Sequence, residues 1–195
     1  MIIPNQNHPL FAEAPLHLAD FIEFERKIFS LAAAMTLPLE AYLIDHLAVR
    51  VNQRKDAEQW LTVLLKCGTI LSDNIVNGRP IYLIQLNKPL RFGGQNVDII
   101  ELPFPKNKVY PQNSWEHIEV VIPFLYKEST EEWVKRINTL FLWNKLTDLS
   151  VKVSEPKVEG ERLPNPSIAV SFAQQSENHT CIKVHPYNIK KIIEV

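Results

Sequence analysis

The order of elements across residues 44–102 recurs across residues 116–185, and this duplication restricts the fold more than any other feature of the chain. Asp45-His46-Leu47-Ala48-Val49-Arg50-Val51 matches Glu116-His117-Ile118-Glu119-Val120-Val121-Ile122 in the pattern acid, His, aliphatic, any, Val, any, aliphatic. A helical segment carrying a tryptophan follows each copy, with Trp60 in the first and Trp133 in the second. Each half then closes on an apolar strand running into proline and an aromatic, Leu102-Pro103-Phe104 and His185-Pro186-Tyr187. Both halves read strand, helix, strand, strand, strand. A module with one apolar strand face cannot bury that face alone, so two copies are expected to pair about a pseudo-two-fold axis.

Local signals fill in this plan. Leu18, Phe21, Ile22, Ile28, Phe29, Ala32 and Met35 recur at helical spacing, which predicts an N-terminal helix stopped by Pro38. Residues 44–51 alternate as a strand, although Ile44 breaks the alternation at its start. Ala57, Trp60, Leu61, Leu64 and Leu65 mark a second helix, and Gly68 is read as its C-terminal glycine. Asn77-Gly78 between two apolar runs predicts a hairpin, and Gly93-Gly94 predicts a turn before a strand over residues 97–102. Residues 103–114 read as a linker. Ser129 followed by Glu132 forms a capping-box signature for a helix with the stripe Trp133, Val134, Ile137, Leu140 and Phe141. Strands are expected over residues 149–153, 167–172 and 181–185. The expected fold class is α+β: paired βαβββ modules forming a cupped mixed sheet flanked by helices, with an extra N-terminal helical segment. Residues 1–195 are expected to form a single domain, divided into an N-terminal segment (1–40), module one (41–102), the linker and module two (115–195).

Bulk properties exclude several classes. The formal net charge is −1, which argues against a nucleic-acid partner. No apolar run approaches a bilayer span, and the N-terminus lacks the basic and apolar regions of a signal peptide, so neither a membrane partner nor export is expected. Cys67 and Cys181 are the two cysteines and do not form a CxxC pair, which suits a reducing, cytoplasmic location. The oligomeric state is not legible.

Strand alternation sorts the polar residues onto one face. Leu47, Val49, Val51, Ile118, Val120, Ile122, Ile182 and Val184 are expected to face the helices. His46, Arg50, His117, Glu119, Lys183 and His185 then point to the opposite side, together with the small residues Ser167, Ala169 and Ser171, leaving room for a ligand. By the same parity Asp45 and Glu116 face away from their neighbouring histidines. Arg79, Glu161 and Arg162 are candidates for the rim, but read more simply as solvated turn charges. Cys181 has cup parity without any mark of a nucleophile. His8, His17 and His179 fall in expected loops.

This arrangement resembles the vicinal oxygen chelate superfamily, which includes glyoxalase I, extradiol dioxygenases and bleomycin-resistance proteins. The longer strings DHLAVR, NGRPIYLIQL, IELPFP, YPQNSWEHIEVVIP, ERLPNPSIAV and IKVHPYNI are similar to the bacterial YecM family of uncharacterised proteins. The superfamily resemblance implies metal ligands on the first and last strands of each module. Carried onto this chain, these are His46, Glu101, His117 and His185, with His185 standing where the superfamily usually has glutamate. Aligning Pro103 with Pro186 would instead match Leu102 to His185. Glu101 is nevertheless placed in the cup, because a carboxylate buried on the helix side would lack a partner. Such a set suits a divalent ion, Fe, Mn, Ni or Zn. Glu119 is open to three roles: ligand, orienter of His117, or general base. Arg50 and Lys183 would pair with an anionic small-molecule substrate. The implied function is a metal-dependent isomerase, lyase or dioxygenase acting on a small oxygen-rich molecule, with Glu119 and Arg50 as catalytic candidates. The alternative is a non-catalytic small-molecule binder using the same cup.

Overall fold

The computed structural model describes residues 2–12, 16–155 and 163–194. The N-terminal helix α1 (Leu18–Ala34) precedes β1 (Leu43–Val49), α2 (Arg54–Cys67), β2 (Gly68–Ser72), β3 (Ile75–Val76), β4 (Arg79–Phe92) and β5 (Gln95–Pro103). After residues 104–114 come β6 (Trp115–Val121), α3 (Thr130–Phe141), β7 (Leu149–Ser154), β8 (Ser167–Phe172), β9 (Cys181–His185) and the short α4 (Ile189–Ile193). The capping box at Ser129 and Glu132 is formed. Asn77-Gly78 and Gly93-Gly94 turn their hairpins with positive φ at both residues, as tight turns matched to strand twist require. The expectation for Glu161 and Arg162 lies outside the described residues.

The strands form one mixed sheet in the order β2-β4-β5-β1-β6-β9-β8-β7, with β3 paired to β4. β1 and β6 are antiparallel neighbours at its centre, and β5 and β9 flank them in parallel. This is the paired-module plan: β1, β5, β4 and β2 on one side answer to β6, β9, β8 and β7 on the other. Leu47, Val49, Ile100, Leu102, Ile118, Val120, Ile182 and Val184 are buried in the core with Phe21, Phe24, Ile28, Trp60 and Leu64 of the helices. Trp115 joins them, with its ring against Phe21, Phe24 and Trp60.

Gly68 ends α2 as expected, but not in the left-handed conformation common for a C-terminal glycine. Its φ is −168°, ordinary extended backbone, and it is already the first residue of β2. What it supplies is the absence of a side chain: a Cβ there would stand 2.2 Å from the Gln85 carbonyl oxygen of β4.

The segment before α1 is anchored through His8, which lies in a loop as expected but is buried. Its Nε2 donates to the Lys88 carbonyl at 2.8 Å, and its Nδ1 accepts from the Leu10 amide at 3.1 Å, so the ring is held neutral. Burial lowers its pKa, outweighing the Lys88 carbonyl contact that would raise it. A depressed histidine pKa means that the unfolded chain takes up the proton first as pH falls below about 6.5, so stability drops in that window. The His8 share is expected to be under about 1 kcal/mol. It is read as the extra loss in urea midpoint between pH 7.5 and 5.5 that wild type shows over His8→Gln; equal losses in the two proteins would refute it.

Candidate metal centre

Each module contributes one histidine from its first strand, and the antiparallel pairing of β1 with β6 brings the two together. His46 pairs with Glu119 and Ala48 with His117, while the parallel neighbour β5 sets Glu101 beside Ala48. The result is a group of four side chains, His46, Glu101, His117 and Glu119, whose ligand atoms all lie within 4.8 Å of one another. His46 Nε2 is 3.6 Å from Glu101 Oε2 and 3.6 Å from Glu119 Oε1. His117 Nε2 is 3.6 Å from Glu101 Oε1 and 3.6 Å from the same Glu119 Oε1. Both histidines are fully buried, and both Nε2 atoms lack a hydrogen-bond partner. Bonds of about 2.0 to 2.2 Å to a common ion would set ligand atoms roughly 3 to 3.6 Å apart, depending on coordination number. The donor set of two imidazoles and two carboxylates therefore fits a divalent first-row metal.

The acid preceding each histidine faces its neighbour, contrary to the alternation expected from sequence. The cause is a pair of β-bulges. In β1 the pairing passes from Ile44↔Val120 to His46↔Glu119, so Asp45 is the extra residue. In β6 it passes from Val49↔Trp115 to Ala48↔His117, so Glu116 is the extra residue at the symmetry-related place. Each bulge turns the acid onto the histidine's side. Asp45 Oδ1 accepts from His46 Nδ1 at 3.0 Å, and Glu116 Oε2 lies 3.4 Å from His117 Nδ1. A carboxylate on Nδ1 fixes the tautomer and leaves the Nε2 lone pair available to a metal.

Electrostatics keep the acids ionised. Burial pushes the Asp45 carboxyl up, but the His185 and His46 imidazoles outweigh it and hold it at about 2. Glu101 sits at about 2, with burial opposed by the His46 contact and by Lys183 and His117. Glu116 is also at about 2, with burial opposed by His117 and Arg50. Glu119 lies well below the usual range, where burial is overcome by His46 and Lys183.

The remaining sequence-derived candidates surround this group. His185 lies beside it: its Nε2 is 2.8 Å from Asp45 Oδ2 and its Nδ1 is 3.5 Å from Glu119 Oε2. It also joins Asp45 and His46 in a second group close enough to share an ion. The register explains its displacement. Ala48↔Glu101 in module one corresponds to Glu119↔Lys183 in module two, so Lys183, not His185, is the repeat partner of Glu101. Lys183 Nζ is 3.4 Å from Glu119 Oε1. Arg50 donates from Nε to Glu116 Oε2 at 2.6 Å and stacks over Tyr110, so it reaches His117 through Glu116. Arg79 lines the cup rather than projecting into solvent from its turn. Burial pushes the Cys181 thiol to about 12, which keeps it protonated.

The cup has a volume of about 590 Å³, the size of a small-molecule site. Glu101, Glu116, Glu119, Arg50 and Lys183 form part of its lining. No helix among the described residues is long and apolar enough to cross a membrane.

Comparisons with known proteins agree with one another. The family model described as "YecM protein" matches residues 14–195. The chain is 66% identical over 175 residues to an uncharacterized protein of Haemophilus influenzae, covering 90% of this chain and 91% of that one. It is 36% identical over 175 residues to "Protein YecM" of Escherichia coli K12, covering 90% and 89%. A solved structure described as "Structural Genomics, Protein EC4020" superposes with a TM-score of 0.76 at 34% identity, covering 90% of this chain and 88% of that one.

Proposed function

The chain belongs to the YecM family, and on that premise we propose that its cup is a divalent-metal site of vicinal oxygen chelate type acting on a small oxygen-rich molecule. The observation that carries this reading is the pair of buried, unpartnered Nε2 atoms of His46 and His117, each facing the same two carboxylates at 3.6 Å. We assign His46, His117, Glu101 and Glu119 as ligands. Asp45 and Glu116 orient the two imidazoles, and His185 supports Asp45 and Glu119 from behind. When bound, a first-row ion of the Fe, Mn, Ni or Zn kind would supply Lewis-acid polarisation of substrate oxygens. Four protein ligands would leave room at such an ion for substrate oxygens.

The chain's own residues then divide the work. Glu119 lines the cup with its Oε1 3.4 Å from Lys183 Nζ, so besides its assigned place among the ligands it is a candidate proton acceptor for substrate. Arg50 holds Glu116 in place and keeps it charged. Isomerase, lyase and dioxygenase reactions of the vicinal oxygen chelate type would each draw on chelated substrate oxygens and a nearby base. A non-catalytic binder would use the same ligands. Turnover of 2-oxo acids, hemithioacetals or catechols separates the two readings.

The test of the site is metal analysis of tag-free protein purified without chelators. Wild type is expected to hold about one divalent ion per chain through dialysis, and the His46→Ala, His117→Ala double variant none. If wild type retains no ion after reconstitution with Fe(II), Mn(II), Ni(II) and Zn(II) in turn, the reading is wrong.

A further inference from the structure

The cup's lining carries more positive charge than the carboxylates at its base neutralise. Five cationic side chains, Arg50, Arg79, Lys108, Lys152 and Lys183, line it against three carboxylates, Glu101, Glu116 and Glu119. A dication held among the carboxylates adds to that excess. Two of the cations are already committed: Arg50 to Glu116, and Lys183 to Glu119. Arg79 differs from them. It has no carboxylate partner among the described residues; Nη1 makes a long contact of 3.4 Å with the Phe104 carbonyl, and Nε is buried without a partner. A buried guanidinium edge with nothing to receive its hydrogen bonds is costly unless an acceptor is brought to it.

The rest of the wall is polar in a particular way. Gln112, Asn165 and His179 each carry a buried side-chain atom without a partner among the described residues, and all three line the cup. Ser150, Ser154, Ser167 and Ser171, from the paired strands β7 and β8, add hydroxyl groups to the same lining. Amide, imidazole and hydroxyl groups both donate and accept, as a ligand with several hydroxyls requires. An aromatic or aliphatic ligand would leave these groups unsatisfied.

The register sets the scale. Leu83 pairs with Glu101, and Arg79 lies four residues before it on β4, roughly 13 Å along the strand. Arg79, Ile81 and Leu83 share the cup side of that strand. The unpaired cation therefore stands at the rim, well away from the carboxylates at the base.

We propose that the cup takes a polyhydroxylated oxyanion, a small sugar-like acid or phosphate, with its charged group at Arg79 and its hydroxyls against Gln112, Asn165, His179 and the β7–β8 serines. The inference deepens the reading of the cup as a metal site and rests on it only for the end of the ligand away from Arg79. Binding is measured by calorimetry on the full tag-free chain, with metal content determined on the same samples. The probes are gluconate, glucose 6-phosphate, the neutral polyol sorbitol, and hexanoate, which is charged but lacks hydroxyls. At least one charged polyol is expected to bind ten-fold or more tightly than both sorbitol and hexanoate, on the order of 1.4 kcal/mol. Which of the two binds tells a carboxylate from a phosphate. Arg79→Gln is expected to remove that advantage while leaving sorbitol binding and the thermal midpoint unchanged, and Arg79→Lys to restore part of it. Equal binding of all four probes, or a charged-polyol affinity unmoved in Arg79→Gln, overturns the inference. Stoichiometric metal without charged-polyol preference defeats this inference alone. Arg79-dependent preference in protein that holds no metal upholds it and defeats the metal reading instead.

Discussion

Gly68→Ala is expected to lower the stability of the protein by about 3 kcal/mol or more, a drop of roughly 6–12 °C in thermal midpoint for a chain of this length. Exchange of glycine for alanine ordinarily favours folding by restricting the unfolded chain, and the extended backbone at Gly68 would accept alanine without torsional strain. Packing reverses the sign. The added methyl would lie 2.2 Å from the Gln85 carbonyl oxygen, 2.9 Å from its carbonyl carbon and 3.0 Å from Leu86 Cα. All three are backbone atoms of a paired strand, so no side-chain rotation relieves the overlap. β2 would have to move away from β4 at Gly68↔Leu86 and Thr69↔Gln85, loosening the edge of the sheet beneath α2. Thermal denaturation of the variant checks this; a midpoint within about 2 °C of wild type would show that β2 can shift at little cost.

That glycine illustrates how far the sequence could be read. Its position after the helix was legible, because glycine at a helix end is common. Its reason was not, because it depends on a strand eighteen residues downstream passing within van der Waals distance. The paired-module plan was legible because it rests on local periodicity repeated in order, and the cup sides of His46, His117, Glu119 and Lys183 followed from alternation. Alternation failed at the bulges, where one inserted residue resets the parity. The signal was nevertheless present in each strand. Ile44 has the parity of His46, yet it is buried in the core, and Trp115 has the parity of His117, yet it packs among Phe21, Phe24 and Trp60. A large apolar residue out of phase just before an acid-His pair is what a bulge at the acid leaves in the sequence. The correspondence of Glu101 with Lys183 was hidden for a related reason. The proline landmarks suggest one alignment of the last strands, whereas register is set by hydrogen bonding to β1 and β6.

Asp45→Ala is expected to have the largest effect of any single substitution near the site, because one carboxylate serves three buried groups. Its Oδ1 accepts from His46 Nδ1 at 3.0 Å, while its Oδ2 lies 2.8 Å from His185 Nε2 and accepts from the Ile189 amide at 2.7 Å. The Asp45 side chain and His46 are wholly enclosed, and His185 nearly so. Truncation leaves the His46 imidazole and the Ile189 amide without their acceptor and His185 without its opposing charge, a loss of about 3 to 5 kcal/mol by analogy with broken buried ion pairs. The sign with pH follows from the carboxyl's depression to about 2 from 3.8. Asp45 contributes stability that is complete above about pH 4 and disappears as pH falls toward 2, so the wild-type advantage over Asp45→Ala is expected to shrink across that acid window. A second effect is chemical. Without the Oδ1 acceptor, His46 is free to adopt the tautomer that carries its proton on Nε2, the atom facing Glu101 and Glu119. Metal affinity is therefore expected to fall about 10- to 100-fold even where the fold survives. Asp45→Asn, which keeps an acceptor oxygen but loses the charge, should fall between wild type and Asp45→Ala in both measurements. Denaturant titrations between pH 2 and 7, with metal titrations at pH 7, test both effects. If Asp45→Ala were as stable as wild type and bound metal equally well, Asp45 would have no part in orienting His46, and the bulge that places it there would be incidental to the site.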